Sequence, residues 1–112
     1  MPRHDLVVTM TDPPMLAVLG PLLGRRWGCG VIHWSHDLYP DLLPVIGARL
    51  PWPAPSLLRR TATAALRRCD AVVAIGSCMA DRLSGRGVPA QRIVTIPNWP
   101  DPVIRPIQRD GN

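Results

Sequence analysis

At 112 residues, 46% apolar and 19% charged, the chain is sized for one globular domain and is too apolar to belong to the disordered class. Its formal charge of +5 is carried by arginine against aspartate alone, because the sequence contains neither lysine nor glutamate. The excess points to an anionic partner: a membrane surface, a phosphorylated ligand or nucleic acid. The one-sided choice of charged residues reads as genome composition and carries no mechanism. Cys29, Cys69 and Cys78 have neither metal-ligand spacing nor an even-numbered disulfide framework, and read as buried cytosolic thiols.

The first element in chain order is an apolar strand over residues 6–10. Asp12 is a candidate N-cap, with Pro13 and Pro14 in the first helical positions and an apolar helix up to Gly24. This stretch contains an internal proline and falls short of the ~20 residues a membrane span needs. A strand-like segment with Asp5 and Asp12 precedes it, which is not the pattern of a signal peptide. Residues 31–35 form the next strand, with Val31, His33 and Ser35 on one face and Ile32 and Trp34 on the other. His33 therefore reads as a packed, hydrogen-bonded core histidine, whereas His36 and Asp37 leave the strand end.

After a proline-rich loop containing Trp52, residues 56–69 read as an amphipathic helix. Leu58, Ala62, Ala65, Leu66 and Cys69 share one face, and Arg59, Arg60, Arg67 and Arg68 lie on the other side. A third strand follows over 71–75. Ser77 is a candidate N-cap for a helix over 78–84 that Gly85 and Gly87 end. Residues 93–96 form a last strand, which runs into Pro97-Asn98-Trp99-Pro100-Asp101.

Strand and helix in alternation predict an α/β fold with a short, mainly parallel sheet of about four strands, a partial Rossmann-like three-layer domain. Consecutive apolar positions, as in Leu6-Val7-Val8, belong to strands covered on both faces. Four sequential strands with right-handed crossovers put every helix on one face and leave the other bare. Either the strand order reverses once or covering material lies outside this chain; the expectation is the second, with residues 6–10 an unpaired edge prone to association.

In open parallel sheets ligands bind beyond the carboxyl ends of the strands. Thr11, Asp12, His36, Asp37, Ser77 and Asn98 all fall at such exits, although any strand exit needs turn chemistry. Gly28-Cys29-Gly30 is followed by a strand where a dinucleotide loop needs a helix. There is no Walker loop, zinc spacing or Gly-x-Ser-x-Gly elbow, so no metal and no cofactor are expected. Nucleic-acid binding is excluded for want of a basic aromatic sheet face or a recognisable module.

Taken in order, five pieces resemble the family 4 glycosyltransferases of the GT-B fold, of the type that builds exopolysaccharide or lipid-linked sugars. They are Asp5-Leu6-Val7-Val8-Thr9, Asp12-Pro13-Pro14, Asp37-Leu38-Tyr39-Pro40, Cys69-Asp70-Ala71-Val72-Val73-Ala74-Ile75, and Gly87-Val88-Pro89 together with Ile96-Pro97-Asn98-Trp99-Pro100-Asp101. The resemblance covers about residues 5–106. It implies the second half of an N-terminal, acceptor-side domain over 1–106, with 107–112 starting an interdomain linker.

The resemblance further implies retaining transfer from a nucleotide-sugar donor to a saccharide or polyprenyl-linked acceptor. His36 inherits the catalytic position near the transferred sugar. Thr11, Asp12, Asp37 and Ser77 take acceptor-side contacts, and Asn98 and Asp101 the hinge. The donor domain, with its glutamate pair, would lie outside this glutamate-free chain, so the chain is expected to be a fragment inactive alone. Lipid-linked acceptors would place it in the cytoplasm at the inner face of the membrane, with Trp52, Arg59, Arg60, Arg67 and Arg68 facing an anionic surface. The alternatives are a non-catalytic partner subunit of a split glycosyltransferase and a small phosphate- or nucleotide-binding α/β module.

Overall fold

A computed structural model describes residues 4–99, 101 and 103. Strands β1 (Leu6–Met10), β2 (Gly30–Ser35), β3 (Ala71–Ala74) and β4 (Ile93–Thr95) form one sheet in the order β1-β2-β3-β4, every neighbouring pair parallel. Helices α1 (Leu19–Trp27), α2 (Ala54–Leu66) and α3 (Ser77–Gly85) provide the crossovers. The fold is thus α/β and Rossmann-like, as the alternation of patterns predicts.

Uniform crossovers put all three helices on one face of the sheet. There Val31, Val72 and Ala74 pack with Leu66 of α2, Cys69, Leu83 of α3 and Val88. The opposite face has no helical layer among the described residues. Along β1 burial alternates with the pleat: Val7 and Thr9 are buried, while Leu6, Val8 and Met10 are about half exposed. Val8 is in register with Ile32, and Met10 with Trp34, which continues across Val73 to Val94. The expected bare face is therefore apolar and exposed at Leu6, Val8 and Met10 of β1 and at Val94 of β4, though Val73 between them is buried, and β1 is an edge.

All three helices depart from expectation at their ends. The first helix does not begin at Asp12. Pro14 disfavours helical geometry at Pro13, Met15 takes φ 69°, and a single 3-10 turn (Leu16–Val18) intervenes before α1. Nor does that helix end at Gly24. A Cβ there would lie 2.2 Å from Val31 Cγ2, so this glycine permits close approach to the sheet, and Gly28 at φ 66° forms the C-cap.

The second helix starts earlier than residue 56, since proline is tolerated in a first turn, and closes at Leu66. Residues 67–69 then tighten: Arg68 N–H and Cys69 N–H bond back three residues, to Ala65 and Leu66. Ser77 is the first helical residue of α3 and not its cap. Gly76 is the N-cap, and its carbonyl accepts from Ala80 N–H at 3.0 Å.

The cysteines also divide. Cys69 is fully buried, its Sγ 3.5 Å from the Ala65 carbonyl, and burial beside Asp70 pushes its thiol up to about 11. Cys29 is half-buried and Cys78 exposed, so the expectation of three buried thiols holds only for Cys69.

Candidate functional site

The exits of β1, β2 and β3 lie along the C-terminal edge of the sheet. Thr11, just past β1, is 6% exposed and turned inward. Its Oγ1 accepts the backbone N–H of His36 at 2.8 Å and of Asp37 at 3.3 Å, and donates to the Trp34 carbonyl at 3.5 Å. One hydroxyl thus uses its single donor and both lone pairs to fix the path of the chain out of β2. Thr11 here positions the site's backbone, and its hydroxyl is fully engaged in doing so.

His36 follows Trp34 on the uncovered side of the sheet. Their rings stack with centroids 5.9 Å apart and 24° between planes. Its Nε2 is buried and has no hydrogen-bond partner among the described residues. A buried polar atom without a partner is uncommon and marks a place where a ligand group or water belongs. His36 and Asp37 line a cavity of about 360 Å³ together with Gly76, Cys78 and Met79 at the start of α3, and Arg82 one turn on. Leu42, Val45 and Ile75 give it an apolar wall.

The first turn of α3 has no acidic residue and no side-chain cap, so its free N–H groups and the helix dipole give that wall positive character. Arg82 adds a cation. Asp37 and Asp41 also line the cavity, with Asp41 already ion-paired to Arg86. The cavity combines an imidazole, a positively polarised helix start with Arg82 beside it, the Asp37 carboxylate and an apolar patch, a set suited to a polar ligand with an apolar portion.

His33 is different. It is 4% exposed, its Nδ1 lies 2.9 Å from Thr9 Oγ1, and burial lowers its pKa to about 4. It is neutral near pH 7 and packs as the core histidine that the strand alternation predicts.

The structure brings His36 and Asp37 together in the cavity, whereas Asp12 and Ser77 are exposed and do not line it. Beyond β4, Asn98 is exposed, and Asp101 Oδ1 accepts Val103 N–H at 2.9 Å in a local turn. The expected linker over 107–112 lies outside the described residues. Trp52 is 87% exposed, and Arg59 and Arg60 on α2 and Arg67 and Arg68 just past its end are exposed.

Sequence reasoning missed Asp41, Arg82 and Arg86. The Arg86 side chain is 4% exposed, ion-pairs with Asp41 and donates through Nη1 to the Tyr39 carbonyl at 3.3 Å. This contact pins the loop after His36 against α3. Asp41 and Arg86 are far apart in the chain, and no local pattern connects them. Among the described residues no group of three His, Cys or Asp side chains is placed to hold a metal, and no helix is long and apolar enough to cross a membrane.

A family model described as a glycosyl transferase 4-like domain matches residues 2–99, which include the whole sheet, all three helices and the cavity. No curated protein matches the sequence. On the strength of that match, the chain belongs to the glycosyl transferase 4-like domain family.

Proposed function

We propose that residues 1–106 form the acceptor-side domain of a retaining glycosyltransferase, and that residues 107–112 begin its interdomain linker around a hinge at Asn98 and Asp101. The reaction would move a sugar from a nucleotide-sugar donor to a saccharide or lipid-linked acceptor of the exopolysaccharide type. The observation that carries this reading is His36 Nε2, buried and unpartnered beside the cavity at the strand ends of a glycosyl transferase 4-like domain. Facing the transferred sugar, His36 would hydrogen-bond where charge develops in the transition state. Asp37 would take acceptor hydroxyls, and Thr11 would hold both in place through their backbone. Asp12 and Ser77, at the same edge, would touch a larger acceptor outside the cavity.

Alone, the 112 residues would bind acceptor and not transfer sugar. The contacts that hold the nucleotide would come from a second domain, as the absence of any glutamate supports. The apolar face of the sheet favours a second reading, a partner subunit that completes a separately encoded donor domain. Trp52 and the arginines of α2 would bring either version to the cytoplasmic face of an anionic membrane.

The test is ligand-observed NMR of the chain with a panel of oligosaccharides, polyprenyl-phosphate sugars and nucleotide-sugars. Acceptor-type sugars should bind, and His36→Ala should weaken them about tenfold or more. Tighter binding of free nucleotide than of any sugar would replace this reading with a nucleotide-binding module. Sugar transfer by the isolated chain would refute its inactivity.

A further inference from the structure

Behind the strand exits, on the helical side of the sheet, lies a small interior cavity of about 20 Å³. β2 supplies His33 and Ser35 to its wall, α2 supplies Ala62, and the loop after His36 supplies Tyr39. Arg86, just past α3, completes the lining. Ser35 is fully buried, and its Oγ has no hydrogen-bond partner among the described residues. Arg86 Nη2 is in a similar position: it lies against Asp41 as an ion pair but is buried and makes no hydrogen bond of ordinary geometry. Thr11 also borders the cavity and has nothing to offer it, because its hydroxyl is fully engaged.

Size and charge together select the occupant. A polar cavity holds a water once ~10–15 Å³ is free for it, and the cavities that stay dry are apolar. Phosphate and sugar rings are too large. A cation would face the Arg86 guanidinium. An anion would find that charge already balanced by Asp41, with Asp37 on the same wall. His33 adds no charge near pH 7, since burial lowers its pKa to about 4. A water carries no charge and both accepts and donates, which is what an arginine N–H and a serine hydroxyl together require.

We propose that this cavity binds one structural water, held between Ser35 Oγ and Arg86 Nη2, and that Ser35 acts through it as a positioning residue for His36 and Asp37. Ser35 directly precedes His36, and Arg86 holds the far end of the same turn through the Tyr39 carbonyl and Asp41. The water joins the two ends of that turn, while Thr11 grips its middle through the N–H groups of His36 and Asp37. The value of the positioning rests on the proposed function of His36 and Asp37; the water itself does not.

A high-resolution crystal structure of the unmodified chain, grown with bromide in place of chloride, tests the occupant. One ordered water within hydrogen-bond distance of Ser35 Oγ and Arg86 Nη2 is expected, with no anomalous signal. A bromide peak would replace the water with a halide, and a cavity without density would overturn the site.

NMR of the Ser35→Ala variant tests the positioning. The substitution keeps the strand and the space but removes one anchor of the water. It should shift the Arg86 Nε–H signal, on the far side of the water, and bring millisecond exchange to the amides of residues 36–41 in relaxation dispersion. The amides of β3 should stay unchanged. Exchange spread evenly through the sheet would make Ser35 an ordinary core residue, and an unaltered 36–41 turn would remove its positioning role. Every readout is on the unliganded chain, so a failure here leaves the acceptor-binding test of the proposed function intact.

Discussion

The two faces of the sheet are made from the same four strands and have opposite fates. On one, Val72, Ala74 and Ser35 are completely covered by three helices. On the other, Val8 and Met10 remain 53% and 46% exposed although their chemistry is no less apolar. The strands are built for burial on both sides, and only one side finds a cover within the described residues. The difference separates what holds this domain together from what it offers to another surface.

The largest effect should come from the covered face. Leu83 is fully buried against Val72 and its neighbours, so Leu83→Ala should destabilise the chain by about 3 to 4 kcal/mol in urea denaturation. A loss below about 1 kcal/mol would show that this face is not the principal core.

Next comes His33, on the same face. Its pKa falls from 6.5 to about 4 on folding, so between these values the unfolded chain binds more protons than the folded one. Its stabilising contribution is complete above about pH 6.5 and is lost as pH falls toward 4, to a total of about 3 kcal/mol. Stability measured from pH 7 to pH 4 should show this slope, and His33→Leu should flatten it. An unchanged slope in the variant would assign the acid sensitivity to other groups.

The smallest change in stability should come from the uncovered face. Val8→Ser and Met10→Ser should each cost less than about 1 kcal/mol, while reducing self-association in analytical ultracentrifugation. A core-sized loss would mean that this face is covered in solution, which would erase the contrast between the two.

Much of the fold was legible because strands and helices announce themselves through period. The four strands stand where runs of Val, Ile and Ala predict them, and the alternation through Val31, His33 and Ser35 identifies the covered face before any contact is known. Helix ends were less legible. Gly24 has the same symbol whether it stops a helix or lets one approach a strand, and only the position of Val31 decides between them. Asp12-Pro13-Pro14 and Ser77 carry capping signals that neighbouring backbone geometry overrides.

The site was half legible. His36 and Asp37 were visible at a strand exit, but the buried hydroxyl of Thr11 beneath them and the Arg86–Asp41 pair bracing their loop join residues far apart in the chain. Such pairings have no period to betray them. Arg25 likewise meets Arg60 and Arg68 around one cavity only because α1 and α2 lie side by side.

By itself the sequence determined the parallel α/β order, the inward face of the 31–35 strand and the cationic outer side of α2, because each follows from local periodicity and composition. Tertiary structure alone decided how closely α1 approaches the sheet, which polar atoms meet at the C-terminal edge, and which arginines share a groove. These depend on distances between segments that the chain brings together only when the helices pack against the sheet.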